Sequence, residues 1–131
     1  MKNEDFVTYE QAIALEKMGF FDGDWSYGYF TIEDKISLER IGKSWHLPFL
    51  CPAPNLTQVQ NWFFEEKKIY IEIYCTNYLN NFGYELKFDY DSNKKYCTQG
   101  FISPNEALSR GIDDAIKYIE ENDYENIDET I

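Results

Sequence analysis

The single histidine and one of the cysteines lie close enough in the chain to suggest a nucleophilic pair. His46 and Cys51 are separated by four residues, Pro48 among them. A cysteine activated by a neighbouring histidine is a common enzymatic nucleophile. The usual local signatures of a cysteine nucleophile are absent around Cys51. The residue types therefore favour a surface histidine and a structural thiol, and they leave a catalytic pair as the alternative.

Motifs for metal binding are also incomplete. Cys51, Cys75 and Cys97 are widely spaced, without the paired spacing that structural zinc sites use. Asp22 and Asp24 flank a glycine as in half of a calcium loop, but no further oxygen ligands follow in register. We therefore expect a turn at 22–24, no metal and no cofactor. We expect a non-enzymatic protein, although a site built only of carboxylates would leave no short motif.

Acidic residues are concentrated at the end of the chain. The formal net charge is −12, and residues 113–131 hold eight acids against one Lys. Residues 1–112 hold 16 acids and 11 bases, so this part is only moderately acidic. An acidic surface repels phosphates, which disfavours direct binding to nucleic acid. The uneven charge also weakens the alternative that the protein is an inhibitor mimicking nucleic acid.

The length and composition are typical of a small folded protein. We expect a single α+β domain over residues 1–122, followed by an acidic and mobile tail at 123–131. No apolar run approaches the roughly 20 residues that cross a bilayer, and the first residues do not resemble a signal peptide. Three widely spaced cysteines are typical of reduced thiols. We therefore expect a cytoplasmic protein that does not bind membranes.

The first half of the chain contains clear helix signals and weaker strand signals. Thr8 and Gln11 form a capping box that begins a helix, and Gly19 is placed to end it. Residues 25–31 are rich in aromatic side chains and predict a strand, and residues 36–38 predict a second, shorter one. The proline-rich segment at 48–54 predicts an extended connector.

The second half predicts an antiparallel meander between two helices. The expected elements are a helix from Asn55 or Thr57 to about Lys67, strands at 69–75, 82–90 and 96–102, a turn at 91–93, and a helix from Pro104 that frays by about Asn122. Over the whole chain, we expect an antiparallel β-sheet of three to five strands packed against two or three α-helices.

The order of elements over residues 55–122 resembles the topology of double-stranded RNA-binding domains. Those domains place lysines at the start of their last helix, where the side chains contact phosphates. This chain has Ser103-Pro104-Asn105-Glu106 at that place, and an acidic residue there opposes phosphate. The resemblance is therefore topological, and RNA binding of that kind is disfavoured.

Tyrosines on the predicted strands are the best candidates for a binding surface. The alternation over 69–75 puts the tyrosines and the glutamate of this strand on one face and the isoleucines on the other. This face either packs on the strand at 25–31, which we favour, or is an exposed patch for a partner or for self-association. The candidate partner-binding residues are Tyr70, Glu72, Tyr74, Tyr27 and Tyr29.

Three segments resemble small proteins encoded by phages and prophages of Bacteroidales gut bacteria. The residues that carry this resemblance are Phe6-Val7-Thr8-Tyr9-Glu10-Gln11-Ala12 with Leu15 and Met18-Gly19-Phe20, then Cys51-Pro52-Ala53-Pro54 with Gln58, Gln60, Trp62 and Phe63, and finally Glu106-Ala107. The chain departs from such proteins at 32–47 and in its longer acidic tail. The resemblance implies a phage or prophage protein in a host cell, and it implies no catalytic residues.

These patterns together predict a protein-interaction module that binds a host or phage protein. Alternatives from other classes remain open. They are an acidic inhibitor that mimics nucleic acid, a small-molecule (nucleotide) binding protein or enzyme, and a self-associating homo-oligomer.

Overall fold

The structure, a computed structural model, describes residues 5–20, 26–75, 81–88 and 91–129. In the last range, side chains are described for residues 100–121. The described residues form three α-helices and two three-stranded antiparallel sheets, which confirms the predicted α+β class. The strands divide between two sheets, whereas the sequence suggested one.

The elements follow one another along the chain with short connections. They are α1 (Tyr9–Lys17), β1 (Tyr27–Ile32), β2 (Lys35–Arg40), β3 (Phe49–Pro52), α2 (Leu56–Lys67), β4 (Ile69–Cys75), β5 (Phe82–Phe88), β6 (Asp91–Phe101) and α3 (Pro104–Glu129), with a 3₁₀ turn at Ile41–Lys43. The chain forms two compact units, Met1–Trp62 and Phe63–Ile131, so the boundary falls inside α2. A single domain over 1–122 stays a prediction.

In the first unit, α1 begins and ends at the predicted residues. The Thr8 side chain accepts a hydrogen bond from the Gln11 amide at 3.1 Å, and the Gln11 side chain accepts one from the Thr8 amide at 2.8 Å. Gly19 follows the helix with φ 91°, in the left-handed region that glycine adopts without steric cost. The capping box and the helix end are therefore confirmed.

The first sheet has the strand order β2-β1-β3. Strands β1 and β2 form a hairpin whose two-residue turn, Glu33 and Asp34, has positive φ at both positions. The predicted connector is extended, but part of it is also strand β3, paired antiparallel with β1. Proline segments do not reveal sheet pairing, because an edge strand tolerates proline where its amide is not required.

In the second unit, β4, β5 and β6 form the predicted meander, in that order. The alternating segment forms β4 over the predicted residues 69–75. The predicted turn at 91–93 is wrong, because β6 begins at Asp91, which pairs with Phe88. Pairing with β5 outweighs the local turn preference of Asp, Ser and Asn in this segment.

Helix α3 packs against all three strands of the second sheet. The Ser103 side chain accepts a hydrogen bond from the Glu106 amide at 3.1 Å, which confirms the predicted cap. The helix continues to Glu129, beyond its predicted end near Asn122. The sequence contains no Gly or Pro after Gly111, and the dipole penalty of each terminal acid is small. The mobility of 123–131 stays a prediction.

Helix α2 begins with a second capping box. The Asn55 side chain accepts a hydrogen bond from the Gln58 amide at 2.8 Å, and the Gln58 side chain accepts one from the Asn55 amide at 2.9 Å. Of the two predicted caps, Asn55 is therefore the one used. The predicted turn at 22–24 falls within residues 21–25, outside the described residues. Among the described helices, none is both long and apolar enough to span a membrane.

Candidate functional site

Two of the predicted partner-binding tyrosines hold the N-terminal segment against β1. The Tyr27 ring lies 4.7 Å from the Phe6 ring, measured between centroids. The Tyr29 hydroxyl donates a hydrogen bond to the Val7 carbonyl at 2.5 Å, and its ring meets the Tyr9 ring edge to face at 5.6 Å. Both tyrosines are half-buried and contribute to the packing of their own unit.

Burial raises the pKa of two side chains in the first unit, Tyr29 and Cys51. The pKa of Tyr29 rises to about 12, mainly because of burial, and negative charge at Cys51 and Glu10 raises it further. Burial likewise raises the pKa of Cys51 to about 11, with a further contribution from Glu16. A thiol with this pKa is protonated at neutral pH and is a poor nucleophile.

The suggested pair of His46 and Cys51 has no supporting geometry. Cys51 is buried, whereas His46 is exposed and its ring lies 5.7 Å from that of Trp45. Within the described residues no hydrogen bond joins His46 to Cys51. No cluster of three or more His, Cys, Asp or Glu suited to a metal occurs in the described part of the chain.

The other three predicted residues share one face of the second sheet. Register pairs on this face are Tyr70 with Lys87, Glu72 with Glu85, and Tyr74 with Gly83. We call the side of β4 and β5 that bears Tyr70, Glu72, Tyr74, Glu85 and Lys87 the outer face. The opposite face, which bears the buried Ile69 and Ile71, packs under α3. The sequence prediction that Tyr70, Glu72 and Tyr74 lie together is therefore matched by their register.

A lysine neutralises part of the charge on this face. The Lys87 ammonium forms an ion pair with the Glu72 carboxylate. The hydrogen bond and the negative charge of Glu72 raise the pKa of Lys87 above its usual value. Glu85 lies opposite Glu72, and like charges at opposed positions of a sheet repel. Lys87 offsets that repulsion, so the outer face is of mixed charge.

Among the described side chains of the second unit, the two most exposed aromatic ones meet at one end of the outer face. Phe64 is 57% exposed and Tyr70 is 42% exposed, and their rings meet edge to face at 5.7 Å. They line a groove of about 450 Å³. Its described lining residues are Phe64, Glu65, Lys68, Tyr70, Lys87 and Phe88. We call this the Phe64–Tyr70 groove.

A tight reversal of the chain creates this groove. Only Lys68 separates the end of α2 from the start of β4, and it has φ 58°. A left-handed residue directly after a helix turns the chain back over its last turn. This reversal brings Phe64, in the last turn of α2, against Tyr70, the second residue of β4.

Of the six described residues that line this groove, the sequence prediction included only Tyr70. It missed Phe64, Glu65, Lys68, Lys87 and Phe88. One signal was available for Phe64, because it lies outside the helical stripe formed by Leu56, Val59 and Phe63. An aromatic residue outside the buried stripe of an amphipathic helix is a candidate for exposure. Lys68 and Lys87 carried no such signal, because their positions depend on the reversal and on strand register.

The first unit contains a second, more apolar groove, of about 320 Å³. Its described lining residues are Ala12, Leu15, Glu16, Phe20, Phe49, Leu50, Pro52 and Pro54. Phe49 is 51% exposed, although its ring also packs edge to face on the buried Phe30 at 5.3 Å. Glu16 is the only charged residue among those named, so this groove offers little basis for selecting a ligand.

Comparison with protein-family models, curated proteins and solved structures finds no match to this chain.

Proposed function

We propose that this protein is a non-enzymatic interaction module that binds a partner protein at the Phe64–Tyr70 groove. One observation carries the proposal: two large aromatic side chains, both substantially exposed, meet at a groove of about 450 Å³. Aromatic side chains are enriched in the centres of protein interfaces, where few residues supply most of the binding energy. Burial of Phe64 and Tyr70 by a partner removes apolar surface from water.

The charges around the groove favour a partner with a carboxylate beside an apolar side chain. Among the described residues of the groove, Lys68 and Lys87 occur together with one acid, Glu65. Lys87 is already paired with Glu72, whereas no ion pair of Lys68 occurs within the described residues. We infer that an apolar side chain of the partner inserts beside Phe64 and Tyr70, and that its neighbouring carboxylate meets Lys68. Charge complementarity of this kind contributes mainly to specificity.

The setting that we propose is the cytoplasm of a bacterial host. The support is the resemblance of residues 6–20 and 51–63 to proteins of phages and prophages of Bacteroidales. In that setting, the partner is a host protein or another phage protein.

The test is a pull-down with the tagged full chain from a Bacteroidales host lysate, with and without phage infection, analysed by mass spectrometry. Wild type is compared with Phe64→Ala and Tyr70→Ala, and with Trp45→Ala as a control. Trp45 is 85% exposed and lies in the first unit, so its removal changes exposed aromatic surface without touching the groove. Circular dichroism establishes that each variant is folded.

We expect one stoichiometric partner with wild type and with Trp45→Ala, and its loss with both groove variants. A partner retained by folded Phe64→Ala and Tyr70→Ala would contradict the proposed site. Recovery of no partner by any form would contradict the proposed function.

A second candidate function is binding of a small anionic aromatic ligand such as a nucleotide. The groove volume lies in the range of about 300–1,000 Å³ typical of ligand pockets, and it combines aromatic rings with two lysines. Thermal denaturation with a panel of nucleotides distinguishes the two candidates. A rise in Tm that Tyr70→Ala abolishes favours the ligand, and no rise favours the protein partner.

A further inference from the structure

Among the described strands, β2 lies at one edge of the first sheet. The strand order is β2-β1-β3, so β2 pairs on one side with β1. Its six residues pair with β1 in continuous register, without a bulge, and the strand contains no proline. Bulges, prolines and charged side chains are common devices that prevent an edge strand from pairing with another chain. β2 has neither a bulge nor a proline, and its charged residues are Lys35, Glu39 and Arg40.

The hydrogen bonds around the sheet show which backbone groups of β2 point outwards. The Ile41 amide donates to the Ser26 carbonyl at 2.9 Å, in continuation of the β1–β2 register. Hydrogen-bonded pairs alternate along an antiparallel ladder. Lys35, Ser37 and Glu39 therefore bond to β1, whereas the amides and carbonyls of Ile36, Leu38 and Arg40 point to the open edge.

Two hydrogen bonds on the other side of β1 agree with this assignment. The Thr31 amide donates to the Pro48 carbonyl at 3.1 Å, and the Ala53 amide donates to the Tyr27 carbonyl at 3.0 Å. The backbone amides and carbonyls of odd-numbered residues of β1 therefore point towards β3. Those of even-numbered residues point towards β2. Within the described residues, no hydrogen bond occupies the outward groups of β2.

We propose that β2 pairs antiparallel with β2 of a second copy of this chain, about a twofold axis at Ser37. The backbone amides and carbonyls that can bond to the second copy belong to the even-numbered residues of β2. Even-numbered residues must therefore lie opposite even-numbered residues. This requires a twofold axis that passes through a residue of the strand and not between two residues. An axis at Ser37 places Ile36 opposite Leu38 of the second copy, as a hydrogen-bonded pair. It places Lys35 opposite Glu39 of the second copy, as a pair whose side chains approach more closely.

The charges select this axis over its neighbours. About Ser37, each Lys35 meets a Glu39 and each Asp34 meets an Arg40, so the four charged residues of 34–40 all face a charge of opposite sign. Glu33 lies opposite the uncharged Ile41. An axis at Ile36 would oppose Glu33 to Glu39. An axis at Leu38 would oppose Ile36 to Arg40. Opposite charges across a sheet stabilise pairing and like charges destabilise it.

The side chains of β2 fit this arrangement. Ile36 is 50% exposed, and pairing with Leu38 of the second copy would cover it. The Ser37 hydroxyl donates a hydrogen bond to the Glu39 carboxylate at 2.6 Å. This bond holds the Glu39 carboxylate over the same face of the sheet as Lys35 of the second copy. Self-pairing uses neither Phe64 nor Tyr70, so it is independent of the proposed partner groove.

The test is sedimentation velocity of the full chain over a wide range of protein concentration. The variants are Lys35→Glu, Glu39→Lys and the double variant Lys35→Glu/Glu39→Lys. Lys43→Glu is the matched control, because it makes the same charge change in the exposed 3₁₀ turn outside β2. All three positions of substitution are on the surface or at the sheet edge, and circular dichroism establishes folding.

We expect wild type and Lys43→Glu to dimerise, and each single charge reversal in β2 to weaken dimerisation by about tenfold or more. The double variant restores it. A mixture of the two single variants also dimerises, because each Glu then meets a Lys. Wild type that stays monomeric throughout overturns the proposal, and so does a mixture no stronger than its separate components.

Discussion

The Tyr84 hydroxyl on β5 donates a hydrogen bond to the Asp114 carboxylate on α3, thirty residues further along the chain. Tyr84 is completely buried, so its hydroxyl requires a partner inside the protein. The bond lies near the place where Gly111 allows α3 to approach the sheet. One polar contact thus joins the helix to the central strand of the second sheet.

Removal of this hydroxyl should destabilise the protein. We expect Tyr84→Phe to lower the free energy of unfolding by about 1.5–3 kcal/mol, as for hydrogen bonds to charged groups. Urea denaturation followed by circular dichroism measures the change. Tyr70→Phe is the matched control, because Tyr70 is 42% exposed and its hydroxyl can bond to water. Equal stabilities of the two variants would show that the contact with Asp114 contributes nothing.

Gly111 should not tolerate even a methyl group. A Cβ at this position would lie 2.7 Å from the Ile71 Cγ2 and 3.2 Å from the Tyr84 ring. Alanine favours a helix by about 1 kcal/mol over glycine, but overpacking costs about 1–3 kcal/mol. We expect Gly111→Ala to lower Tm. Gly42→Ala, where the added Cβ meets nothing within 4 Å, should change Tm little. An increase in Tm for Gly111→Ala would mean that α3 moves away from the sheet at little cost.

The β1–β2 turn should be stabilised by glycine. Glu33 and Asp34 have φ 49° and 65°, and this left-handed conformation costs non-glycine residues roughly 1 kcal/mol each. We expect Asp34→Gly to raise the free energy of unfolding by up to about 1 kcal/mol in urea denaturation. Asp34→Ser removes the same charge without relieving the backbone, so it serves as the control. If Ser and Gly stabilise equally, charge rather than backbone conformation is the cause.

Stability should decrease at alkaline pH because of Tyr29. Its pKa is 10.0 in the unfolded chain and about 12 in the folded protein. Below pH 10, Tyr29 is protonated in both states and its full contribution is present. Between pH 10 and 12 the unfolded state loses the proton first, so unfolding becomes more favourable as pH rises. The buried Cys51 thiol, with a pKa of about 11, acts in the same direction from pH 9 upwards.

The measurement is urea denaturation of wild type and Tyr29→Phe at a series of pH values from 8 to 12. We expect Tyr29→Phe to be less stable than wild type at neutral pH, because it loses the hydrogen bond to Val7. Its stability should decline less steeply above pH 10, since phenylalanine does not ionise. Parallel declines in the two proteins would mean that Tyr29 ionises in the folded state as it does in water.

Local patterns predicted most elements of the fold. The caps at Thr8, Asn55 and Ser103 were readable because each involves residues only three positions apart. The alternation over 69–75 predicted β4 because one side of the strand is buried. Where prediction failed, distant pairing was the reason. The residues at 91–93 have turn chemistry, but their partner strand makes them the start of β6.

The candidate site also combines features that the sequence predicts with features that depend on the tertiary structure. The sequence by itself determined that Tyr70, Glu72 and Tyr74 share one face, because side chains alternate along any strand. Only the tertiary structure decided that Phe64 joins Tyr70 and that Lys87 pairs with Glu72. The first contact depends on the reversal at Lys68, and the second depends on the register of β4 with β5. Neither leaves a periodic trace in the sequence, because each joins residues that only folding brings together.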